Sequence, residues 1–503
     1  MFSHTWRRHW ALDEDPFIQE DADKDPVLAR VPLEAVHSSF DRLFGNPEKP
    51  GPGIVFGEKG SGKSGLRLAM KRRLETESPG TAFLVEYVEF DGFLNEARMA
   101  DRLPPSGPKT ARRVVERFGL ADHLDAILSL GVTKLCHELL EGEHVIARKL
   151  VPKYKASILA LAGLYYRSDE RSGAEVDRGL SKVLRFRTSP SLLSRMLILV
   201  LTLVGVGLAL VPVIDPTIAG RKLDISNPDL WYAGGVVLLA LTFGTLAVRS
   251  YAMRRRAARA TRAVRVVPRD PDPLVRLLKR LPASMRRDLA LPDGAAVGTR
   301  LVLLRRFVSI LDELGYKSFY VLMDRVDEAT LLSGRADLMR PFIESLLEHR
   351  LLQFEGLALK LFLPIELARL YLGASPDDLK SMRLDKANSI PELRWTGQEL
   401  SGVASQRLRA VRPKGTPVEQ PGANLSDFFE DDVTVVCMRD ALGELGTPRL
   451  AFGFLGAILA EHARDLADDL DDDDPEWRIP RRRFEILHAS WLDRARGLRR
   501  ALN

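Results

Sequence analysis

The spacing of apolar residues changes period repeatedly along the chain. Leu33, Val36, Phe40 and Leu43 recur at intervals of three and four, which predicts a helix over Pro32–Leu43. Asn46–Gly53 is turn-rich and ends in the Pro/Gly run Pro50–Gly53. Ile54–Phe56 is a short run of buried-strand type, Leu66–Leu74 returns to helical spacing, and Ala82–Phe90 is rich in β-formers. Strand, glycine loop, helix and strand in that order predict the opening of an α/β sheet. Further on, residues 112–165, Pro273–Leu314 and Ala336–Leu352 have helical spacing, whereas Phe319–Met323 and Leu357–Leu363 have the character of buried strands. Leu400–Val411 and Val433–Leu466 are helical, with Pro413–Asn424 a loop between them. The acidic run Asp468–Glu476 reads as a solvated loop, and the tail Arg481–Leu502 is amphipathic and basic. Residues 1–30 are polar and irregular, with Trp10, Pro16 and Phe17 as apolar anchor points.

Two segments break this pattern. Met196–Ile214 and Trp231–Val248 carry no charge at all. Each reaches the roughly 18–20 apolar residues needed to cross a bilayer core. A soluble core helix keeps one polar face, and neither run has one. Lys182, Arg185, Arg187 and Arg195 precede the first run, and Arg249, Arg254, Arg255, Arg256, Arg259, Arg262 and Arg265 follow the second. The loop between, Asp215–Leu230, holds only Arg221 and Lys222 against Asp215, Asp224 and Asp229. Lysine and arginine excess marks the cytoplasmic side, so a hairpin with both flanks inside is expected. That places the chain in the inner (plasma) membrane with two helices and both termini cytoplasmic. The polar N-terminus, Met1–Asp15, has no apolar core of a signal peptide.

Composition adds little to this picture. The 503 residues suggest about three domain-sized units. The 45% apolar content is too high for a disordered chain. The net charge of +6 raises the question of nucleic acid. Much of that charge abuts an apolar span, however, where it would attract anionic lipid, so membrane lipid is the favoured partner. Cys136 and Cys437 lie far apart in apolar surroundings and read as buried small hydrophobes; no Cys/His set has zinc-ligand spacing.

The chemistry is concentrated in two places. Gly57-Glu58-Lys59-Gly60-Ser61-Gly62-Lys63-Ser64 matches G-x-x-x-x-G-K-[ST], with a strand before it and a helix after it. In such a loop successive N–H groups form an anion nest at a helix N-terminus, the lysine reaches the β- and γ-phosphates, and the hydroxyl holds Mg²⁺. ATP and Mg²⁺ are therefore the expected cofactors, with Lys63 on the phosphates and Ser64 on the metal. The second place is Phe319–Glu328. Its apolar strand ends at Asp324, where open α/β sheets set their ligands, so Asp324 is the second expected metal residue. Asp327 or Glu328 is placed to polarise an attacking water. Arg325 either pairs with one of those acids or reaches a phosphate, and the close acids favour pairing. Far downstream, Pro448 of Gly446-Thr447-Pro448-Arg449 suits the first turn of a helix, from which Arg449 is poised to neutralise a γ-phosphate or serves as an ordinary surface arginine.

This combination resembles the additional-strand P-loop NTPases of the AAA+/STAND branch. Gly446–Arg449 looks like that branch's second sensor in a helical lid, and Val31-Pro32-Leu33-Glu34 is similar to the linker that covers the adenine. A transmembrane hairpin between the loop and the acid strand is similar to the KAP family, membrane-associated NTPases of which several are linked to phage exclusion or to organising membrane complexes. Two departures stand out. The family's usual D-D-x-D-R is replaced by Asp324-Arg325-Val326-Asp327-Glu328, and Pro364 follows the Leu357–Leu363 strand where a polar first sensor is expected.

The expected fold is thus α/β, a P-loop NTPase parallel-sheet core with a C-terminal helical lid and an inserted two-helix transmembrane hairpin. The expected divisions are an irregular segment (1–30), the first part of the core with a helical insert (31–190), the hairpin (191–253), the second part of the core (254–400), and the lid with its basic tail (401–503). The expected activity is hydrolysis of ATP on the cytoplasmic face, driving a conformational or assembly change, in a homo-oligomer or with a protein partner. One alternative is a nucleotide-binding scaffold with little turnover. Another is a DNA-acting ATPase recruited to the membrane through the basic tail Arg481–Arg500.

Overall fold

A computed structural model describes residues 4–32, 37–105, 107–142, 145–167, 171–186, 192–211, 217–218, 221–222, 227–347, 350–372, 388–417, 420–466 and 474–501. The chain divides into two compact units, one of residues 1–91 with 315–503 and the other of residues 92–314. Residues 254–314, expected within the second part of the core, therefore group with the inserted unit.

The first unit is built on a five-stranded, all-parallel sheet. Its strands are β1 (Gly53–Gly57), β2 (Ala82–Tyr87), β3 (Ser318–Met323), β4 (Leu357–Pro364) and β5 (Asn388–Ile390), in the order β2-β3-β4-β1-β5. β4 thus lies between the strand that feeds the glycine loop and the strand that ends in Asp324. β1, β3 and β4 are buried along their whole length, which is why they read as continuous apolar runs. β5 has three residues, too few to leave a periodic signal. The Lys63–Glu77 helix sets Leu66, Met70 and Leu74 against Val55, Leu84, Tyr320 and Phe362 of the sheet. The helix expected over Pro32–Leu43 spans Phe40–Phe44; residues 33–36 lie outside the described ones.

One lysine breaks the apolar pattern of β4. Lys360 is buried and donates to Leu43 O at 2.6 Å, capping the end of the Phe40–Phe44 helix. Burial pulls its ammonium down to about 8.

A second core joins the C-terminal helices Gly397–Ala410, Val435–Leu445, Pro448–Asp465 and Arg481–Ala501. The N-terminal segment is not an irregular appendage of this core but a part of it. Trp6, Trp10, Leu12 and Phe17 are buried among Leu408, Phe428, Phe454 and their neighbours. His4–His9 is helical, and Arg407 pairs with Asp25 at 2.7 Å with both side chains 4% exposed. The segment looked irregular because its apolar residues are spaced for a partner distant in sequence rather than for an element of its own. The acidic run expected to be a loop falls mostly on 467–473, outside the described residues.

In the described residues the second unit is almost wholly helical. The Leu120–Glu141 helix is its spine. Arg300 and Asp125, each 1% exposed, pair at 3.2 Å, and Tyr165 Oη donates to Asp125 at 2.8 Å. Burial raises Asp125 to about 6. Arg265 binds Asp122 and Asp101. Cys136 is buried here; Cys437, in the first unit, is half-buried, and both are free.

The two apolar runs lie in helices Leu192–Leu210 and Pro228–Ala263, which pack together. A Cβ on Gly235 would lie 2.6 Å from Gly205 O, so the backbones touch where both residues are glycine. Among the described residues one helix, Asp229–Ala263, is long and apolar enough to cross a membrane, and Met196–Leu210 is a shorter apolar helix. The remainder of the first expected span, 212–214, lies outside the described residues.

Two measurements test these cores. Trp10→Ala should destabilise the C-terminal helical core by about 3–5 kcal/mol, read from urea unfolding. A cost below 1 kcal/mol would mean the N-terminal segment is not part of it. Lys360 holds fewer protons folded than unfolded between about 8 and 10.4, so stability rises with pH across that window. The stability of wild type relative to Lys360→Met should therefore increase by on the order of 2 kcal/mol from pH 7 to 10. A difference independent of pH would overturn the buried-charge account.

Candidate functional site

The glycine loop leaves the C-terminal end of β1 and enters the Lys63–Glu77 helix. Gly60 and Gly62 have φ of 86° and 91°, left-handed values that strain any residue with a Cβ. Space is short as well. A Cβ on Gly60 would lie 2.7 Å from Arg449 Cβ, and one on Gly57 would lie 2.3 Å from Ser61 Oγ. Lys63 is buried, and its Nζ donates to Gly57 O at 2.8 Å and Glu58 O at 3.0 Å, folded back over its own loop. Burial lowers its pKa, while the charges of Asp327, Asp324 and Glu366 act in the opposite direction. Lys59 is exposed on the cavity wall. Ser61 Oγ is buried and lacks a hydrogen-bond partner among the described residues.

Ser64 and Asp324 meet although 260 residues separate them. Ser64 Oγ donates to Asp324 Oδ2 at 2.7 Å. Asp324 is 1% exposed, and its other oxygen accepts the Arg325 backbone N–H at 2.9 Å. A residue absent from the sequence reading completes the arrangement. Arg67, on the helix after the loop, is 2% exposed, and its Nε donates to Asp324 Oδ2 at 3.1 Å. Its terminal nitrogens pair with Glu86 of β2 and with Asp23.

Asp23 belongs to an acidic stretch, Glu20–Asp25, that runs beside the site. Arg325 pairs with Asp21 at 2.9 Å and with Asp23, and more loosely with Glu328 at 3.5 Å. The pairing expected with Asp327 or Glu328 is thus mainly a pairing with the N-terminal segment. Arg325 has a left-handed φ of 63°, an uncommon conformation for a residue with a side chain. Asp327 is half-buried and Glu328 exposed; both line the same cavity as Lys63 and Ser64.

The C-terminal helices close the other side. Thr447 caps the Pro448–Asp465 helix, with Pro448 in its first turn. The Arg449 N–H donates to Gly60 O at 3.2 Å, and its Nε lies 3.7 Å from Glu20 Oε2. Trp395, also missed in the sequence, donates from Nε1 to Ser61 O at 2.7 Å and lies over Gly62. β4 ends at Pro364, beside Gly57.

Lys63, Ser64, Asp324, Arg325, Trp395 and Arg449 line a cavity of about 790 Å³. Val31 and Pro32 of the expected adenine-covering linker line it, and Leu33 and Glu34 lie outside the described residues. Among the described residues no cluster of three or more His, Cys, Asp or Glu is placed to hold a metal. One hydroxyl beside one carboxylate is instead a donor set suited to Mg²⁺, which keeps waters and takes phosphate oxygens as its remaining ligands. Bare left-handed glycines beside a buried lysine likewise suit a phosphate chain.

Gly60→Ala should lower stability by about 1–2 kcal/mol from backbone strain alone and abolish binding of a fluorescent ATP analogue. Unchanged binding would show that the Gly60–Arg449 contact is incidental. Compared with protein-family models, curated proteins and solved structures, the chain matches none of them.

Proposed function

We propose that this chain is a membrane-anchored P-loop ATPase. One observation carries the reading: the Ser64 hydroxyl and the Asp324 carboxylate, from a phosphate-loop motif and an acid strand, meet at 2.7 Å with one strand between their own. That arrangement is what an additional-strand P-loop core requires. Ser64 and Asp324 would hold Mg²⁺, whose chemistry there would be neutralisation of phosphate charge.

The chain's own groups take the remaining roles. The N–H groups of Gly60–Ser64 cradle the phosphates, and Lys63 swings from the carbonyls of Gly57 and Glu58 to the γ-phosphate. Arg449, already against Gly60, neutralises charge developing on that phosphate. Asp327 or Glu328 orients the water. Trp395 and the Pro448–Asp465 helix fix the loop from the side away from the sheet.

The membrane reading rests on exposed apolar surface. Leu197, Leu199, Leu203, Val237, Leu241 and Phe243 are each more than half exposed on the two apolar helices. A soluble protein seldom leaves so much apolar surface to water. A two-helix hairpin with the nucleotide site on the cytoplasmic face accounts for this surface and for the arginines after Val248.

A second reading is a nucleotide-gated scaffold with slow turnover. It is favoured by Glu328, which is exposed and lies 3.5 Å from the Arg325 guanidinium. Steady-state phosphate release separates the two readings. Under the ATPase reading, Lys63→Ala loses nucleotide binding. Asp324→Asn keeps part of the binding but loses Mg²⁺-dependent turnover. Either Asp327→Asn or Glu328→Gln lowers turnover about 10²-fold. ATP binding with turnover that neither acid variant changes would leave the scaffold.

A further inference from the structure

The Pro228–Ala263 helix continues well past its apolar half. Arg249, Met253 and Arg256 follow Val248 at i, i+4 and i+7, so they share one face about 10 Å long. The short Ala283–Asp288 helix lies against this face. Arg286 Nη1 is 3.6 Å from Met253 Sδ, and Arg256 Nη2 is 3.5 Å from Leu289 O. Arg286 thus reaches Met253 between Arg249 and Arg256 on that face, close enough for the charges of both to act on it.

Some arginines in this unit hold acids, as Arg265 does Asp122 and Asp101, and Arg300 does Asp125. Arg249, Arg256 and Arg286 form no ion pair among the described residues. Asp288, two residues from Arg286, pairs with none of them. Burial and the neighbouring charges of Arg249 and Arg256 pull the Arg286 guanidinium below its ordinary value. Arg249 and Arg256 are exposed and Arg286 half-buried, so water screens their mutual repulsion, and an anion placed among them is favourable. The surroundings narrow the anion further. Leu246, three residues before Arg249 on the same face, belongs to the apolar half of the helix, so that half runs up to the three charges. A ligand that satisfies both is an anion joined to a hydrocarbon chain.

We propose that Arg249, Arg256 and Arg286 form a binding site for the phosphate headgroup of an anionic phospholipid, with its acyl chains along the apolar half of the same helix. The proposal rests on the membrane reading and goes beyond it. Positive charge at a membrane surface needs only a diffuse field. A site needs these three side chains in particular.

The test uses full-length protein in mild detergent and fluorescent phosphatidylglycerol, with phosphatidylcholine as the comparison lipid. Arg249→Gln/Arg256→Gln/Arg286→Gln removes the site. Arg254→Gln/Arg255→Gln/Arg262→Gln removes the same charge from the same helix. The site variant should lose about tenfold more phosphatidylglycerol affinity than the control variant, and phosphatidylcholine should bind weakly to all three proteins. Arg286→Gln alone, with circular dichroism unchanged, should show part of the loss, so misfolding of the triple variant is not confused with the effect. Equal losses in the two triple variants would overturn the site in favour of a diffuse field. Displacement of the lipid by millimolar inorganic phosphate, or by a short DNA duplex at equal charge, would overturn the lipid assignment. Alkaline carbonate extraction of cell membranes separates the two levels. Protein retained in membranes without lipid preference sinks this inference alone, and protein released to the supernatant sinks the membrane reading with it.

Discussion

The first unit depends on how the Asp324 carboxylate is satisfied. A charge this deeply buried is tolerated only when donors surround it. Asp324 has three, the Ser64 hydroxyl, the Arg67 guanidinium and the Arg325 backbone N–H. They fix both oxygens, and each comes from a segment the site needs. Ser64 brings the glycine loop, Arg67 the helix behind it, and the Arg325 N–H the left-handed turn that carries Asp327 and Glu328. Removing one donor leaves the others holding a partly compensated charge, so these segments are bound to one another through a single side chain.

Arg67 extends the network outward. Its guanidinium is buried among Asp324, Glu86 and Asp23, and Asp23 draws in the N-terminal segment. The same stretch reaches Arg325 through Asp21, Arg407 through Asp25 and Arg449 through Glu20. These pairs are not equivalent. Asp25–Arg407 is dry and acts as a fixed anchor. Glu20–Arg449 is long, with Glu20 73% exposed, and contributes little at ordinary ionic strength. Arg449, whose backbone N–H bonds Gly60 O, is thus the arginine held most loosely, which leaves its side chain available to an incoming anion.

What the sequence revealed follows from the range of the interactions concerned. The glycine loop is local, since backbone angle, close approach and the lysine all lie within eight positions, and the spacing alone located Gly57–Ser64. The acid strand was legible because burial on both faces writes a continuous apolar run ending at Asp324. Arg449 was legible through Pro448, a local helix signal. Arg67, Trp395 and the acids at 20–25 were not. Each acts through a partner between 19 and more than 400 residues away, and a lone arginine in a helix has no pattern that distinguishes a buried one from a solvated one. The same reason hid the N-terminal tryptophans, whose core is supplied by helices at the other end of the chain.

The sheet explains how so large an insertion is tolerated. β2 and β3 are adjacent and parallel, in register from Ala82↔Ser318 to Tyr87↔Met323, and between them the chain builds the whole unit of residues 92–314. Parallel neighbours always need a crossover from the end of one strand to the start of the next. Here that obligatory crossover has become a folded unit. Lengthening it costs little, because closure entropy grows only with the logarithm of length and the insert is compact in its own right. The position nonetheless has a consequence. β3 is the strand that delivers Asp324, so the site is assembled only after the chain has passed through the insert and returned to pair with β2.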